Sequence, residues 1–358
     1  MHLSPALSWL IDEAAEIEGA ESFLSGLGAR LVAEGLPLAG GALSLNVAHP
    51  LIARRAWLWR AKRDEVIEAL GFAPAGPAQP NEAERRWLAG LAQGTLHERI
   101  VGRKTDGPWL AWVGRRALET GEAERLALAA RAAAAPLAAI SARATLEATL
   151  EAYLGRRSAA QALATPMRRV VGETIEAALL FADLRGFTDL SESQPPGLVI
   201  EALDAWFDRV AGAVHAFGGE VLKFIGDGAL AIFPVTGGSP GAACEAALHA
   251  VVAMRAGMAR LAEQRREQGV APLSFGVALH LGRMLWGNIG AANRLDFTAI
   301  GPAVNLVSRL EGLCKPLGQS TLVSGALAAE IKTPLVAMGR HKLRGVATPC
   351  EVFALPEA

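Results

Sequence analysis

The chain has no surplus of charge of either sign: 35 Lys and Arg stand against 36 Asp and Glu, a net charge of −1 over 358 residues. A nucleic-acid partner leaves a basic excess as its footprint, so this balance gives that class no support. Cysteine is scarce as well. The three present, Cys244, Cys314 and Cys350, are far apart, odd in number and without a C-x-x-C pair. That pattern excludes a disulfide framework or a zinc site and fits thiols packed in a reducing compartment. Long apolar runs are also missing. LALAARAAAAPLAAI comes nearest, but it contains Arg131 and Pro136 and is too short to span a bilayer; it reads as an alanine-rich helix. The start, MHLSPALSWLIDEAAEIEGA, holds four acids in its first eighteen residues and no basic region, which argues against a signal peptide. These absences predict a soluble, cytoplasmic protein without a membrane span.

The length leads to an expectation of two domains, each with a sizeable core. Six of the eight tryptophans, Trp9, Trp57, Trp59, Trp87, Trp109 and Trp112, fall in the first third of the chain. Buried core explains them better than a ligand pocket does. The opening, through Glu34, is helical by period. ALSLNVAHPLIARRAWLWRA predicts two strands around a Pro-containing loop, FAPAGPAQP a further loop, and TDGPWLAWVG a turn leading into a strand. Residues 1–120 therefore read as a mixed α+β module. Residues 121–166, rich in Ala, Leu, Glu and Arg, predict a connecting helix ended by Pro166. Within it Leu146, Leu150, Tyr153, Arg157 and Ala160 alternate steps of four and three, a coiled-coil-like phase that would pair with its counterpart in a dimer. From 167 to 358 strands and helices alternate, with hairpins mixed among crossover helices, and the expected fold is an α+β sandwich of ferredoxin-like kind.

Chemistry concentrates in two short apolar runs of this last stretch. In EAALLFADLRGFTDL, Asp183 closes six consecutive apolar residues, and in GGEVLKFIGDGALAIF, Asp227 sits in a Gly-Asp-Gly turn between two apolar segments. Both runs read as buried strands. A carboxylate at the end of such a strand is costly unless compensated. Two brought together repel, so one stays protonated unless a cation neutralises both. A divalent, all-oxygen site for Mg²⁺ or Mn²⁺, of the kind that handles a polyphosphate, satisfies these conditions. The plainer alternative makes Asp227 a turn residue and Asp183 a helix N-terminal one.

FADLRGFT, GGEVLKFIGDGALAIF and GNIGAANRLDFTAIGPAVNLVSRLEG, in that order, resemble the catalytic domain of class III nucleotidyl cyclases over about half the chain. The GGEV at Gly218–Val221 superficially resembles the GGDEF signature of diguanylate cyclases, but the run continues into KFIGDG and no aromatic follows the acid. The resemblance implies an adenylate cyclase that converts ATP to 3′,5′-cyclic AMP and pyrophosphate, with two metal ions, Mg²⁺ or Mn²⁺, in each of two composite sites of a homodimer. It implies metal residues at Asp183, Leu184 and Asp227, and triphosphate contacts at Gly186, Phe187 and Thr188, where a strand hands over to a helix and backbone N–H groups point outward. An ordinary turn with Thr188 as N-cap fits that segment too. Lys223 matches the adenine-reading lysine, where guanylate cyclases carry an acid; its partner position holds Thr298, seven residues before Asn305, where many relatives have aspartate. A threonine hydroxyl accepts or donates, so it discriminates less sharply than a carboxylate.

Asn305 and Arg309, spaced i, i+4, match the transition-state pair, and arginine suits the equatorial phosphate oxygens because its fork supplies several fixed donors. Arg344, in HKLRGV, falls where the family often has a basic residue on the triphosphate tail, although a surface strand arginine fits as well. Pro302 replaces an acid common in the family and reads as a loop variation. His215 and His280 read as structural. The first module resembles the GAF- or PAS-like sensor segments that precede such domains, with an unidentified small-molecule effector. The rival readings are a guanylate cyclase and a non-catalytic signalling module that keeps the cyclase fold.

Overall fold

The computed structural model describes residues 3–46, 52–72, 81–102, 107–164, 173–291, 294–346 and 348–356. Pro166, the Pro-containing loop before Ile52 and most of FAPAGPAQP lie outside them. The chain divides into two compact units, Met1–Tyr153 and Leu154–Ala358.

The first unit runs α1 (Pro5–Asp12), α2 (Ala20–Ala33), β1 (Leu38–Asn46), β2 (Ile52–Arg60), β3 (Glu65–Phe72), α3 (Glu82–Ala89), β4 (Leu96–Ile100), β5 (Trp109–Gly114), α4 (Thr120–Ala132) and α5 (Ala134–Leu154). Its five strands form an antiparallel sheet in the order β3-β2-β1-β5-β4. Strand side chains alternate between faces. Leu43, Leu45, Trp57, Trp59, Leu110 and Trp112 meet apolar residues of α1, α2, α4 and α5. Ala42, Leu58, Trp109 and Ala111 face the other way, under Leu88 of α3. Five of the six tryptophans are buried and Trp87 is half-buried, which bears out their reading as core.

The alanine-rich stretch is three helices rather than one. A 46° bend separates α4 from α5, with Pro136 in the first turn of α5, where a missing N–H costs nothing. Gly155, at φ +80°, separates α5 from α6 (Arg156–Ala164). Among the described residues no single helix is long and apolar enough to cross a membrane; α4 and α5 meet that test only as a bent pair. Leu146 and Tyr153 of the coiled-coil-like phase are exposed.

The second unit continues with β6 (Glu173–Arg185), α7 (Phe187–Ser193), α8 (Pro196–Ala216), β7 (Glu220–Ile225), β8 (Gly228–Pro234), α9 (Pro240–Glu267), β9 (Ser274–Ala291), β10 (Arg294–Ile300), α10 (Pro302–Glu311), β11 (Thr321–Ser324), α11 (Gly325–Ala328), β12 (Val336–His341) and β13 (Cys350–Ala354). The strands form one sheet in the order β12-β13-β11-β9-β6-β8-β7, with β10 paired to β9. The strand β6 lies antiparallel between β8 and β9, so α8 and α9 each close a split β-α-β unit around an inserted strand. Ala178, Leu180, Ala182 and Leu184 of β6 pack against α8 and α9. Ala177 and Leu179 face the opposite side, where Ala303, Val307 and Leu310 of α10 cover them. Cys244 and Cys314 are buried and Cys350 half-buried, all three as free thiols, consistent with packing.

Candidate active site

The odd-numbered face of β6 carries Asp183 out of the core, past Ala177, Leu179 and Phe181. A two-residue turn, Gly226 and Asp227, joins β7 to β8. The backbone carbonyl of Asp227 accepts a 2.9 Å hydrogen bond from the Trp206 indole, which is fully buried in α8. The hairpin tip is thereby tied to the helix layer, and a buried indole N–H finds its partner there. The sequence carries both ends of this bond but not their meeting.

The Asp183 and Asp227 carboxyls share a hydrogen bond. Burial, then the charge of Asp227, that hydrogen bond and the charge of Glu311 push Asp183 up to about 7, against the opposing Leu184 amide. Without a cation the pair therefore holds one proton near neutrality, as two converging carboxylates must. The donors are all oxygen, which suits a hard divalent cation. Leu184 turns its side chain into the α8–α9 core. Only its backbone carbonyl could join the two carboxylates. Among the described residues there is no group of three or more His, Cys, Asp or Glu placed to hold a metal.

Two residues near this pair were not singled out from the sequence. Glu311, at the end of α10, lies over Gly276, the β9 neighbour of Asp183: a Cβ on Gly276 would come 2.2 Å from Glu311 Oε1. A side chain at this position would displace the Glu311 carboxylate from its place over the strand. Burial and the charge of Asp227 raise Glu311, while Arg185 lowers it. Arg185 lies two residues beyond Asp183 on the same strand face; it donates to the Gln319 carbonyl and leaves its Nε buried without a partner. The sequence pattern alone offered no signal for either, because their partners are remote in the chain.

Gly186 is the N-cap of α7, at φ +71° with open space around it, so backbone conformation rather than crowding favours glycine. Thr188 is not the cap; it sits exposed in the first turn, and Phe187 is partly buried against the α8–α9 core. The first amides of this short helix face away from the chain's own hydrogen-bonding ladder, as at any helix start.

Lys223 does not join the aspartate pair. A β-bulge at Leu222 shifts the register of β7, and the ammonium makes an ion pair with Asp296 Oδ2 of β10. Thr298 lies two residues farther along β10, half-buried, on the same strand face as Asp296. Asp227 and Lys223 thus serve different surroundings, as their separation along the hairpin requires.

On α10, Ala303, Val307 and Leu310 are buried while Asn305 and Arg309 are exposed one turn apart. Glu311, two residues on, points to the opposite side of the helix. Asn305 borders a cleft of about 440 Å³ shared with His280, Arg283, Gly345 and Val346. Arg344 is exposed next to that cleft, in the turn after β12 rather than in a strand. Pro302 is the first residue of α10, where its fixed φ and absent N–H are favourable, and not a loop variation. His280 is buried, bonded through Nδ1 to Ser324 Oγ at 2.8 Å and pushed down to about 4 by burial, so it is neutral and structural. His215 is exposed in the last turn of α8.

Residues 170–345 match the family described as the adenylate and guanylate cyclase catalytic domain. The adenylate cyclase of Anabaena cylindrica is 32% identical over 160 residues, covering 44% of this chain and 31% of that protein. Adenylate cyclase 1 of Rhizobium meliloti is 31% identical over 183 residues, covering 50% of this chain and 27% of that protein. The chain thus spans less than a third of the length of these curated relatives. Among solved structures, the adenylyl cyclase CyaB from P. aeruginosa is 29% identical with a TM-score of 0.48, covering 53% of this chain and 97% of that one.

Proposed function

The chain belongs, through residues 170–345, to the adenylate and guanylate cyclase catalytic-domain family, and on that premise we propose that it is an adenylate cyclase converting ATP to 3′,5′-cyclic AMP and pyrophosphate. The convergence of Asp183, at the end of β6, and Asp227, in the β7–β8 turn, is the observation that carries this reading. Two carboxylates in that state are set to take up divalent cations, Mg²⁺ or Mn²⁺, with the Leu184 carbonyl as a third oxygen. A bound divalent cation lowers the pKa of the ribose 3′-hydroxyl and neutralises charge on the phosphates. The bond formed joins the 3′-oxygen to the α-phosphorus, its hydroxyl proton passing to solvent; the bond broken joins that phosphorus to the oxygen bridging to the β-phosphate, and pyrophosphate leaves.

Arg309 and Asn305 supply donors to the equatorial oxygens as charge builds there. Both are exposed on the side of α10 turned away from Glu311, which supports a composite site that a second copy completes. The amides around Gly186, Phe187 and Thr188, together with Arg344, hold the triphosphate, and Lys223 with Thr298 reads the base. The first unit is proposed as a GAF- or PAS-like sensor that receives a small-molecule effector, in a cytoplasmic protein. The family includes guanylate cyclases, so base choice rests on Lys223, a donor where an acid would favour guanine.

Incubating the full chain with Mn-ATP and with Mn-GTP tests the proposal. Cyclic AMP is expected from the wild type and a loss of at least about 10²-fold in Asp227→Ala, in line with removing a group that acts on the reacting atoms. Cyclic GMP as the main product, or no product from either nucleotide, overturns it.

A further inference from the structure

One end of the first unit's sheet gathers cations with no anion among them. Arg60 ends β2 on the face that α3 covers, two residues after Leu58; Lys62 follows in the β2–β3 turn, and Arg115 comes directly after β5. Together with Gln93, beyond α3, they border a cleft of about 910 Å³ whose lining holds no acidic residue. Among the described residues none of the three cations takes part in an ion pair, although Glu65 stands opposite Arg60 in the β2–β3 ladder. The Arg60 guanidinium lies 5.8 Å from the Trp87 ring centre, which orients it, yet its Nε is buried without a hydrogen-bond partner. Leu91 supplies an apolar floor and lies directly on β1: a Cβ on Gly40 would come 2.5 Å from its Cδ1.

A buried N–H without an acceptor costs free energy, and like charges around one cleft repel each other. An anion in the cleft offsets both penalties. The arginine fork matches two oxygens of a phosphate or carboxylate group, and lysine adds a compact point charge. Three cations on three separate segments call for more than one negative charge. The volume far exceeds that of a bare ion, and Leu91 and Ala39 offer apolar contact to a carbon frame. We propose that this cleft binds a small organic dianion, a phosphate monoester or a dicarboxylate, through Arg60, Lys62 and Arg115. The inference deepens the sensor reading of the first unit and takes the ligand's role as effector from it; the binding itself stands apart from that reading.

Calorimetry on the full chain at pH 8 tests it, with phenyl phosphate and phthalate as the dianions and benzylamine as a cation of similar size. At least one dianion is expected to bind, and the stronger of the two tells phosphate from dicarboxylate. Arg60→Met keeps the aliphatic stem and should weaken that binding about tenfold or more, the worth of one charge-assisted hydrogen bond. The double variant Lys62→Gln, Arg115→Gln changes two exposed positions and carries the same expectation should Arg60→Met fail to fold. Arg63→Gln, a neighbouring cation outside the cleft, and Arg309→Ala, in the second unit, should leave the binding unchanged. No binding of either dianion, equal binding of benzylamine, or binding that survives in the cleft variants overturns the proposal, as does its loss in Arg309→Ala. A chain that makes no cyclic nucleotide yet binds in this pattern would defeat the cyclase reading and support the cleft. Binding that leaves cyclic-nucleotide synthesis unaltered would remove the sensor role and still support the site.

Discussion

Asp183 is the residue whose chemistry the fold alters most. Its ordinary pKa of 3.8 is raised to about 7, so the stability it contributes is fully present below pH 3.8 and is lost as pH rises through about 7. His280 acts with the opposite sign: lowered from 6.5 to about 4, it contributes stability above pH 6.5 that is lost as pH falls through about 4. Comparing two proteins at each pH separates these effects. In chelator, Asp183→Asn is expected to unfold at a higher temperature than wild type at pH 8 and to lose that advantage by pH 5. Added Mg²⁺ should raise the wild type at pH 8 and leave the variant unmoved, because a cation bound only by the native state stabilises it. A difference between the two proteins that ignores pH would mean that burial beside Asp227 does not hold Asp183 protonated.

At the scale of elements, the short helix α6 depends on a strand for its start. The Glu220 carboxylate of β7 accepts from the Arg157 amide at 3.1 Å and from the Ser158 amide, and the Arg157 guanidinium lies 4.9 Å from the Trp286 ring centre. An anion at a helix N-terminus satisfies its free amides and opposes the macrodipole. Glu220→Ala should cost about 1 kcal/mol, the usual worth of such a cap, and speed hydrogen exchange at Arg157 and Ser158 before any change elsewhere. Unaltered exchange there would remove Glu220 from that role. This contact was not legible in the sequence, because nothing local links residue 157 to residue 220. What could be read was local: the apolar run ending at Asp183, the Gly-Asp-Gly turn, and the i, i+4 spacing of Asn305 and Arg309. The bulge at Leu222, the breaks at Ala133 and Gly155, the Trp206 bond to the Asp227 carbonyl and the place of Glu311 over Gly276 all depend on partners that only the folded sheet brings near. Pro302 misled for a related reason: a proline reads as a loop until the helix it begins is in view.

At the scale of the whole molecule, the two halves of the chemistry point apart. Asp183 and Asp227 converge beside Glu311, whereas Asn305 and Arg309 face solvent from the far side of the same helix. On the proposed reading a nucleotide touched by both sets needs a second copy of the chain, and a two-fold pair would then contain two equivalent sites. Mixing variants measures this directly. Asp227→Ala and Arg309→Ala should each be inactive alone, since every site in either homodimer lacks one group. In a mixed dimer, one site collects both lesions and the other collects neither. Random re-pairing of equal amounts makes about half of the dimers mixed, each with one intact site, so activity should return to about a quarter of the wild-type value. Dilution below the dimer's dissociation constant should abolish that rescue and the wild-type activity together. A mixture that stays inactive although hetero-pairing is demonstrated by differential tagging would mean that each chain builds its site alone.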